Sequence, residues 1–386
     1  MSSYSQYALM HEPANAHAGV SFATADVQVS PRHIAIAARL MRAYRTTASQ
    51  SKGVFESAGV DLWTSIADKS LRQAHQIILS DNAEQLAQYL TRLGNHTTWF
   101  GGITTGVDGY SEWYDEDRAA IAFQYFDNLL CLAEALGVLP FEAPEQRKAG
   151  NWGKNVQLDP NLVAEALSDH LRIDIIPPQD IIPVVGLKLE DGILHYRHIN
   201  ALYMAARIRD LTRPLDPICE YGGGLGLVAF YLHRMGWRDA TLFDLPITNV
   251  MSGFFLIGAL GDEAVCLEGE TPRRGAIKIR AYWNCLDTPR RHFRLSANQD
   301  SFPEISADIV KLYLKQIERH TSEYFLHINQ EVQQSISDTI RLLGVPGLIA
   351  AETTMQRIYR GPYWLRRGYA EELYRMQPGL LRKIFR

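Results

Sequence analysis

No stretch of this sequence stays apolar for the roughly 20 residues that a membrane-spanning helix requires. The longest nearly unbroken run, VMSGFFLIGALG over residues 250–261, falls well short. The opening MSSYSQYALMHEPANAHAG has neither a basic head nor an apolar core, so neither membrane insertion nor secretion is expected. Cysteine is equally sparse. Cys131, Cys219, Cys266 and Cys285 stand far apart with no C-x-x-C pair, a pattern that suggests neither a disulfide framework nor a zinc site. They read as core thiols in a reducing cytoplasm. Positive charge is also in short supply: 39 Lys and Arg against 43 Asp and Glu leave −4 at pH 7. That is the wrong sign for neutralising a phosphate backbone, and no nucleic-acid partner is expected.

What the chain does have is size and an apolar fraction suited to a buried core. Its 386 residues are 46% apolar and 21% charged, enough for two domains. Charge is unevenly spread. Residues 273–294 and 357–386 each carry a net +6, leaving −16 for the remainder. Those basic segments are either solvated surface or a cationic rim for an anionic substrate.

Residues 1–29 are polar and aperiodic and predict a poorly ordered tail. From residue 30 to 195 the pattern is mainly helical. Ser30-Pro31 opens a helix in RHIAIAARLMRAYR, Asp81 with Glu84 three residues on predicts an N-cap, and DEDRAAIAFQYFDNLLCLAEALG starts acidic and stops at Gly137. This region is expected to form a lid, a dimerisation surface for a homodimer, or part of the substrate site. Trp99, Tyr110 and Trp113, in a glycine-rich loop, are its candidate substrate contacts. His195 and His198, in HYRH, have the spacing of two metal ligands on one helical turn but no acidic third partner, so no metal is expected. Arg197 between them is either a surface residue or a candidate for an anionic group.

Beyond residue 215 short apolar runs alternate with helical stretches: PICEY, LGLVAFYLHRM, ATLFD, ITNVMSGFFLIGALG. That is the βαβα rhythm of a doubly wound α/β domain, set at 196–386. The first strand-to-helix turn, GGGLG, packs four glycines into five positions. Bare backbone there approaches a ligand closely, and the following helix offers free N–H groups. Two registers fit. Gly224, Gly226 and Ala229 spell G-x-G-x-x-A, a dinucleotide fingerprint with Asp244 placed for a ribose. Glu220, Gly222, Gly224 and Gly226 spell E-x-G-x-G-x-G. The second accounts for the glutamate, which a pyrophosphate would repel and a cationic nucleoside such as S-adenosylmethionine would attract.

CEYGGGLGLVAFYLHRMGWRDATLFDLP, followed in order by NQDSFPEI, YFLHINQE and YWLRRGYAEELY, resembles the sugar O-methyltransferases, a group of class I S-adenosylmethionine-dependent enzymes, over roughly residues 195–376. The resemblance implies a Rossmann-like methyltransferase domain. It implies that Glu220, Gly222, Gly224, Gly226 and Asp244 bind S-adenosylmethionine, with Tyr221, Gly223 and Leu245 in the same two motifs. It also implies that the end of the fourth strand, Asn298 to Glu304, faces the methyl group of a small polar acceptor, sugar-bearing or anionic.

At that strand end Asp300 and Glu304 are candidate proton acceptors, and Asn298 and Gln299 candidates for holding adenine or hydroxyls; the same residues also read as a polar loop with a helix cap. On the fifth strand His327 is either a base near neutral pH or a core histidine. Asn329, Gln330 and Glu331 follow it as hydroxyl-recognition candidates. Tyr363, Trp364, Arg366, Arg367 and Tyr369 either close over a polar substrate, Trp364 and Arg367 foremost, or pack a hairpin. The function expected is O-methylation. An NAD(P)-dependent oxidoreductase and a non-catalytic nucleotide-binding protein are the alternatives.

Overall fold

The computed structural model describes residues 9–50, 72–95, 103–106, 114–335 and 341–377. Trp99, Tyr110 and Trp113 lie outside the described residues. From the N-terminus the chain runs through β1 (Phe22–Ala25), α1 (Pro31–Ser49), α2 (Arg72–Leu79), α3 (Ala83–Leu90), α4 (Asp115–Ala135), α5 (Pro160–Leu171), β2 (Val184–Leu189), β3 (Gly192–Leu194) and α6 (Tyr196–Leu211). It continues with β4 (Ile218–Tyr221), α7 (Leu227–Arg234), β5 (Ala240–Asp244), α8 (Pro246–Leu260), β6 (Val265–Cys266), β7 (Ile277–Ala281), β8 (Phe293–Gln299) and α9 (Ala307–His320). Last come β9 (Thr321–Gln330), β10 (Gln334–Ser335), β11 (Arg341–Leu342), α10 (Val345–Glu352), β12 (Gln356–Pro362) and β13 (Tyr369–Arg375). These elements fall into two compact units. One gathers the described residues up to Ser30, those of 88–206, and Trp364–Arg367; the other holds 31–87, 207–363 and the rest from Gly368. No helix among the described residues is long and apolar enough to cross a membrane.

In the first unit α4 begins on Asp115, Glu116 and Asp117, whose negative charges lie at the positive end of the helix dipole and stabilise it. It ends where Gly137 turns to φ 72°. Helix α5 starts at Pro160 behind Asp159, whose carboxylate accepts from the Asn161 N–H at 2.9 Å. Strands β1, β2 and β3 form an antiparallel sheet in which Leu187 faces Phe22 on one side and Leu194 on the other. The stretch read as a poorly ordered tail therefore carries an ordered strand from Phe22 to Ala25. Four residues are too few to show alternation, and their order comes from pairing with a distant segment. His195 and His198 are both buried, and burial holds both imidazoles below their ordinary range. Arg197 lies over the Tyr196 ring, 5.0 Å from its centroid.

The second unit is built on an eight-stranded sheet in the order β12-β13-β9-β8-β4-β5-β7-β6. Strands β6, β7, β5, β4, β8 and β9 run parallel. Strand β13 enters antiparallel beside β9, and β12 is antiparallel to it at the edge. The chain winds outward from β4 in both directions, so the order reverses between β4 and β8. In such sheets ligands lie at the carboxyl ends of the strands at this reversal. Helix α1 packs on α8, where a Cβ at Gly253 would meet Leu40 Cδ2 at 2.5 Å. Arg39 forks onto Glu270, with Nε and one Nη each 2.7 Å from a carboxylate oxygen. The cap of α3 differs from the expected one. Asn82, not Asp81, accepts from the Gln85 N–H at 3.0 Å, and Asp81 instead adopts a left-handed turn at φ 62°. All four cysteines are free and buried.

Candidate functional site

Strand alternation decides which side chains meet at the reversal point. Cys219 and Tyr221 point into a core that includes Phe243, Phe302, Tyr313 and Phe325. Glu220 consequently points to the opposite face, beside its parallel neighbour Leu242. The glycine turn folds back over that face. A Cβ at Gly223 would lie 3.2 Å from Glu220 Oε2 and 3.2 Å from Leu242 Cδ2. Glu220 thus sits directly beneath the turn, 7% exposed, and its Oε2 has no hydrogen-bond partner among the described residues. Burial, and then the nearby Asp244, push its carboxyl up to about 8.

Gly222, Gly224 and Gly226 all lie in the left-handed region, at φ 70°, 57° and 78°. The turn is held at both sides. Its Gly222 N–H donates to the Phe243 carbonyl at 2.9 Å, and its Gly224 N–H donates to Asp244 Oδ2 at 2.9 Å. The other Asp244 oxygen accepts from the Leu245 N–H at 2.7 Å. Leu245 precedes Pro246 at the start of α8, so Asp244 ties the ends of β4 and β5 together. Burial raises the Asp244 carboxyl to about 6 against the pull of those two N–H groups.

From β8, Asn298 donates its amide to the Tyr221 carbonyl at 2.8 Å and to Ser301 Oγ at 2.5 Å. This brings the 299–304 loop against Gly222. Asp300 stands in that loop in a left-handed conformation, φ 53°, and accepts from the Tyr369 hydroxyl at 2.6 Å. A non-glycine residue there costs about 1–3 kcal/mol of backbone strain, which marks a position that the surroundings hold in place. Glu304 closes the short helical turn Phe302–Glu304 and is half-buried. Gln299 Nε2 reaches the Tyr363 hydroxyl at 3.4 Å.

The remaining sequence candidates make contacts of other kinds. The Tyr221 side chain faces away from the turn, its hydroxyl 2.6 Å from His320 Nε2; only its backbone belongs to the site. His327 is fully buried in the sheet. Its Nε2 lies 3.0 Å from Glu372 Oε2 and its Nδ1 3.2 Å from the Asn329 amide. Burial lowers its pKa, Glu372 opposing, so the ring is neutral at pH 7 and enclosed where a base needs access. Asn329, also fully buried, donates to Asn298 Oδ1 at 2.8 Å. It braces the loop rather than facing solvent. Gln330 donates to the Val332 carbonyl at 3.2 Å, and exposed Glu331 pairs with Arg360 at 2.6 Å. Trp364 and Arg367 belong to the first unit, where Trp364 packs on Phe141 and Arg367 donates to the Leu9 carbonyl.

Sequence reasoning missed two participants. Ser301 lies within the NQDSFPE motif but carries no charge that would single it out. Glu372 was legible only as an acidic pair inside an apolar strand, AEELY.

No protein-family model matches the chain, and no curated protein matches it. Remote likenesses exist among solved structures. The PH0226 protein from Pyrococcus horikoshii OT3 is 11% identical over 47% of this chain and 90% of its own, with a TM-score of 0.36. An S-adenosylmethionine-dependent methyltransferase from Mesorhizobium loti is 11% identical over 45% of this chain and 97% of its own, at a TM-score of 0.30. The glycopeptide N-methyltransferase MtfA, solved with S-adenosyl-L-homocysteine, is 17% identical over 45% and 89%, at 0.34. Likenesses this distant carry no activity across, and the function rests on the site's own chemistry.

Proposed function

We propose that the protein is an S-adenosylmethionine-dependent methyltransferase acting on a hydroxyl of a small polar acceptor, sugar-bearing or anionic. One observation carries the reading: Glu220 lies buried under the glycine turn with an oxygen that has no hydrogen-bond partner among the described residues. A buried carboxylate without a donor is costly, and Asp244 adds a second acid at the same strand ends. A pyrophosphate would bring negative charge against Asp244 and offer the Glu220 oxygen no donor. An amino-acid-bearing nucleoside with its ammonium instead answers Glu220, and this favours the E-x-G-x-G-x-G register over the dinucleotide one. When bound, S-adenosylmethionine supplies a sulfonium methyl that an oxygen nucleophile displaces in line. The chain's part is to orient the acceptor, exclude water and take its proton, for which Asp300 is the candidate base and Glu304 its neighbour. Four buried free thiols fit a reducing, cytoplasmic setting.

Calorimetry tests the cofactor. S-adenosylhomocysteine is expected to bind and NADH not to; the reverse result discards the proposal. Because the Glu220 carboxyl stands near 8, it is protonated at pH 7 and ionises beside a bound cation. Binding heats are expected to vary with the ionisation enthalpy of the buffer, and Glu220→Gln should remove that dependence. Without cofactor, the folded chain keeps a proton that the unfolded chain sheds above pH 4.5. Its stability therefore falls as pH rises from 4.5 to 8.

Asp300→Asn separates chemistry from binding. Asparagine tolerates the left-handed backbone, so the loop stays in place. Turnover should fall by about 10²–10⁴ while the S-adenosylhomocysteine affinity holds. An undiminished rate removes Asp300 from the reaction.

A further inference from the structure

In the first unit, far along the sequence from the glycine turn, three different metal-ligating side chains converge. Asp127 and Cys131 lie one helical turn apart on the same face of α4, and His11 reaches them from the N-terminal segment. One ligand atom from each lies within 4.8 Å of the other two. All three are enclosed: Asp127 is 3% exposed, Cys131 4% and the His11 side chain 10%.

The surroundings orient the set. His11 Nδ1 faces Asp127 Oδ1 at 2.8 Å, while Nε2 faces Glu134 Oε1 at 3.2 Å. Glu134, one more turn along the same helix face, is itself held by the Asn155 amide at 2.8 Å. A carboxylate on the far nitrogen of an imidazole is the usual arrangement behind a metal-bound histidine, because it fixes the tautomer and turns the near lone pair inward. The Asp127 carboxylate is fixed too, accepting from the backbone N–H of Met10 and of His11.

We propose that His11 Nδ1, Asp127 Oδ1 and Cys131 Sγ form a zinc site that fastens the N-terminal segment to α4, with Glu134 orienting the histidine. A thiolate and an imidazole favour Zn²⁺ over Mg²⁺ or Ca²⁺, which take all-oxygen sets. Bond lengths near 2.0–2.1 Å place tetrahedral N and O ligands roughly 3.3 Å apart, so the His11–Asp127 pair opens by about half an ångström, within a small side-chain rotation. Three protein ligands leave the fourth position to water. Binding displaces the Cys131 thiol proton and the proton shared between His11 and Asp127, so protons are released as the metal enters.

The test uses the full-length chain without a histidine tag, stripped with chelator, dialysed against Zn²⁺ and assayed by elemental analysis. One equivalent per chain is expected. Co²⁺ in place of Zn²⁺ should give a thiolate-to-cobalt charge-transfer band, lost in Cys131→Ser. Glu134→Gln should weaken Zn²⁺ binding by about 10–100-fold. Less than a tenth of an equivalent of Zn²⁺ in the wild type overturns the proposal. So does a cobalt complex of the wild type without the thiolate band, a readout that holds even where a substitution spoils folding.

Discussion

Gly222→Val is expected to abolish S-adenosylhomocysteine binding and to lower the stability of the sheet domain, because two separate penalties fall on one residue. Gly222 holds φ 70°, a conformation that costs a residue with a Cβ about 1–2 kcal/mol, and more when the side chain is β-branched. Its missing Cβ is also the space that the neighbouring loop occupies: a Cβ there would lie 2.1 Å from Ser301 Oγ and 2.5 Å from Ser301 Cβ. Neither distance is tolerable, so the 299–304 loop must retreat, drawing Asn298 off the Tyr221 carbonyl. The two penalties can be separated. In Gly222→Ala the collision and the backbone strain both apply; adding Ser301→Gly removes both colliding atoms and leaves the strain. Calorimetry with S-adenosylhomocysteine and denaturant unfolding should show partial recovery in the double variant. Full retention of binding in Gly222→Val would mean that this turn is not the cofactor site.

The elements that form this turn were legible in the sequence because their signals are local. PICEY and ATLFD fall on β4 and β5, and LGLVAFYLHRM and ITNVMSGFFLIGALG on α7 and α8. The first unit was less legible. VVGLKL and GIL, joined at Glu190-Asp191, make the β2-β3 hairpin, yet their partner β1 is a four-residue strand with no pattern of its own. The role of His327 was hidden for a different reason. Alternation places a strand residue on one face or the other, but only the register of β13 against β9 puts Glu372 opposite His327. A pairing across 45 positions leaves no mark in either segment. The same holds for Gly222 and Ser301, where the requirement for glycine comes from a loop on another strand.

Glu372→Ala is the second large effect expected, a loss of about 1–3 kcal/mol of stability for each buried donor left without its acceptor. Glu372 is fully buried. One of its oxygens accepts from Arg357 at 2.8 Å and Arg360 at 2.9 Å, the other from the Tyr374 hydroxyl at 2.6 Å, and His327 Nε2 lies 3.0 Å away. Truncation leaves a buried imidazole and a buried phenol without their acceptor, while the two arginines, on the edge strand β12, turn to water. A loss of that size is a large fraction of a typical domain's 5–15 kcal/mol. The pH dependence identifies the cause. Burial opposes ionisation of Glu372, but the bonds from His327, Tyr374 and Arg360 outweigh it and hold the carboxyl at about 2, below its ordinary 4.5. A depressed carboxyl contributes its stability in full above pH 4.5, and the contribution is lost as pH falls from 4.5 towards 2. Glu372→Gln, similar in shape but without the charge, should lower unfolding free energy above pH 4.5 by a constant amount and flatten its dependence on pH between 4.5 and 2. The effect should also reach the cofactor turn. From Glu372 the contacts pass through His327, Asn329 and Asn298 to the Tyr221 carbonyl, so Glu372→Gln should weaken S-adenosylhomocysteine binding at a residue that touches no ligand. An unaltered affinity, with stability lowered as expected, would confine the network to bracing the sheet.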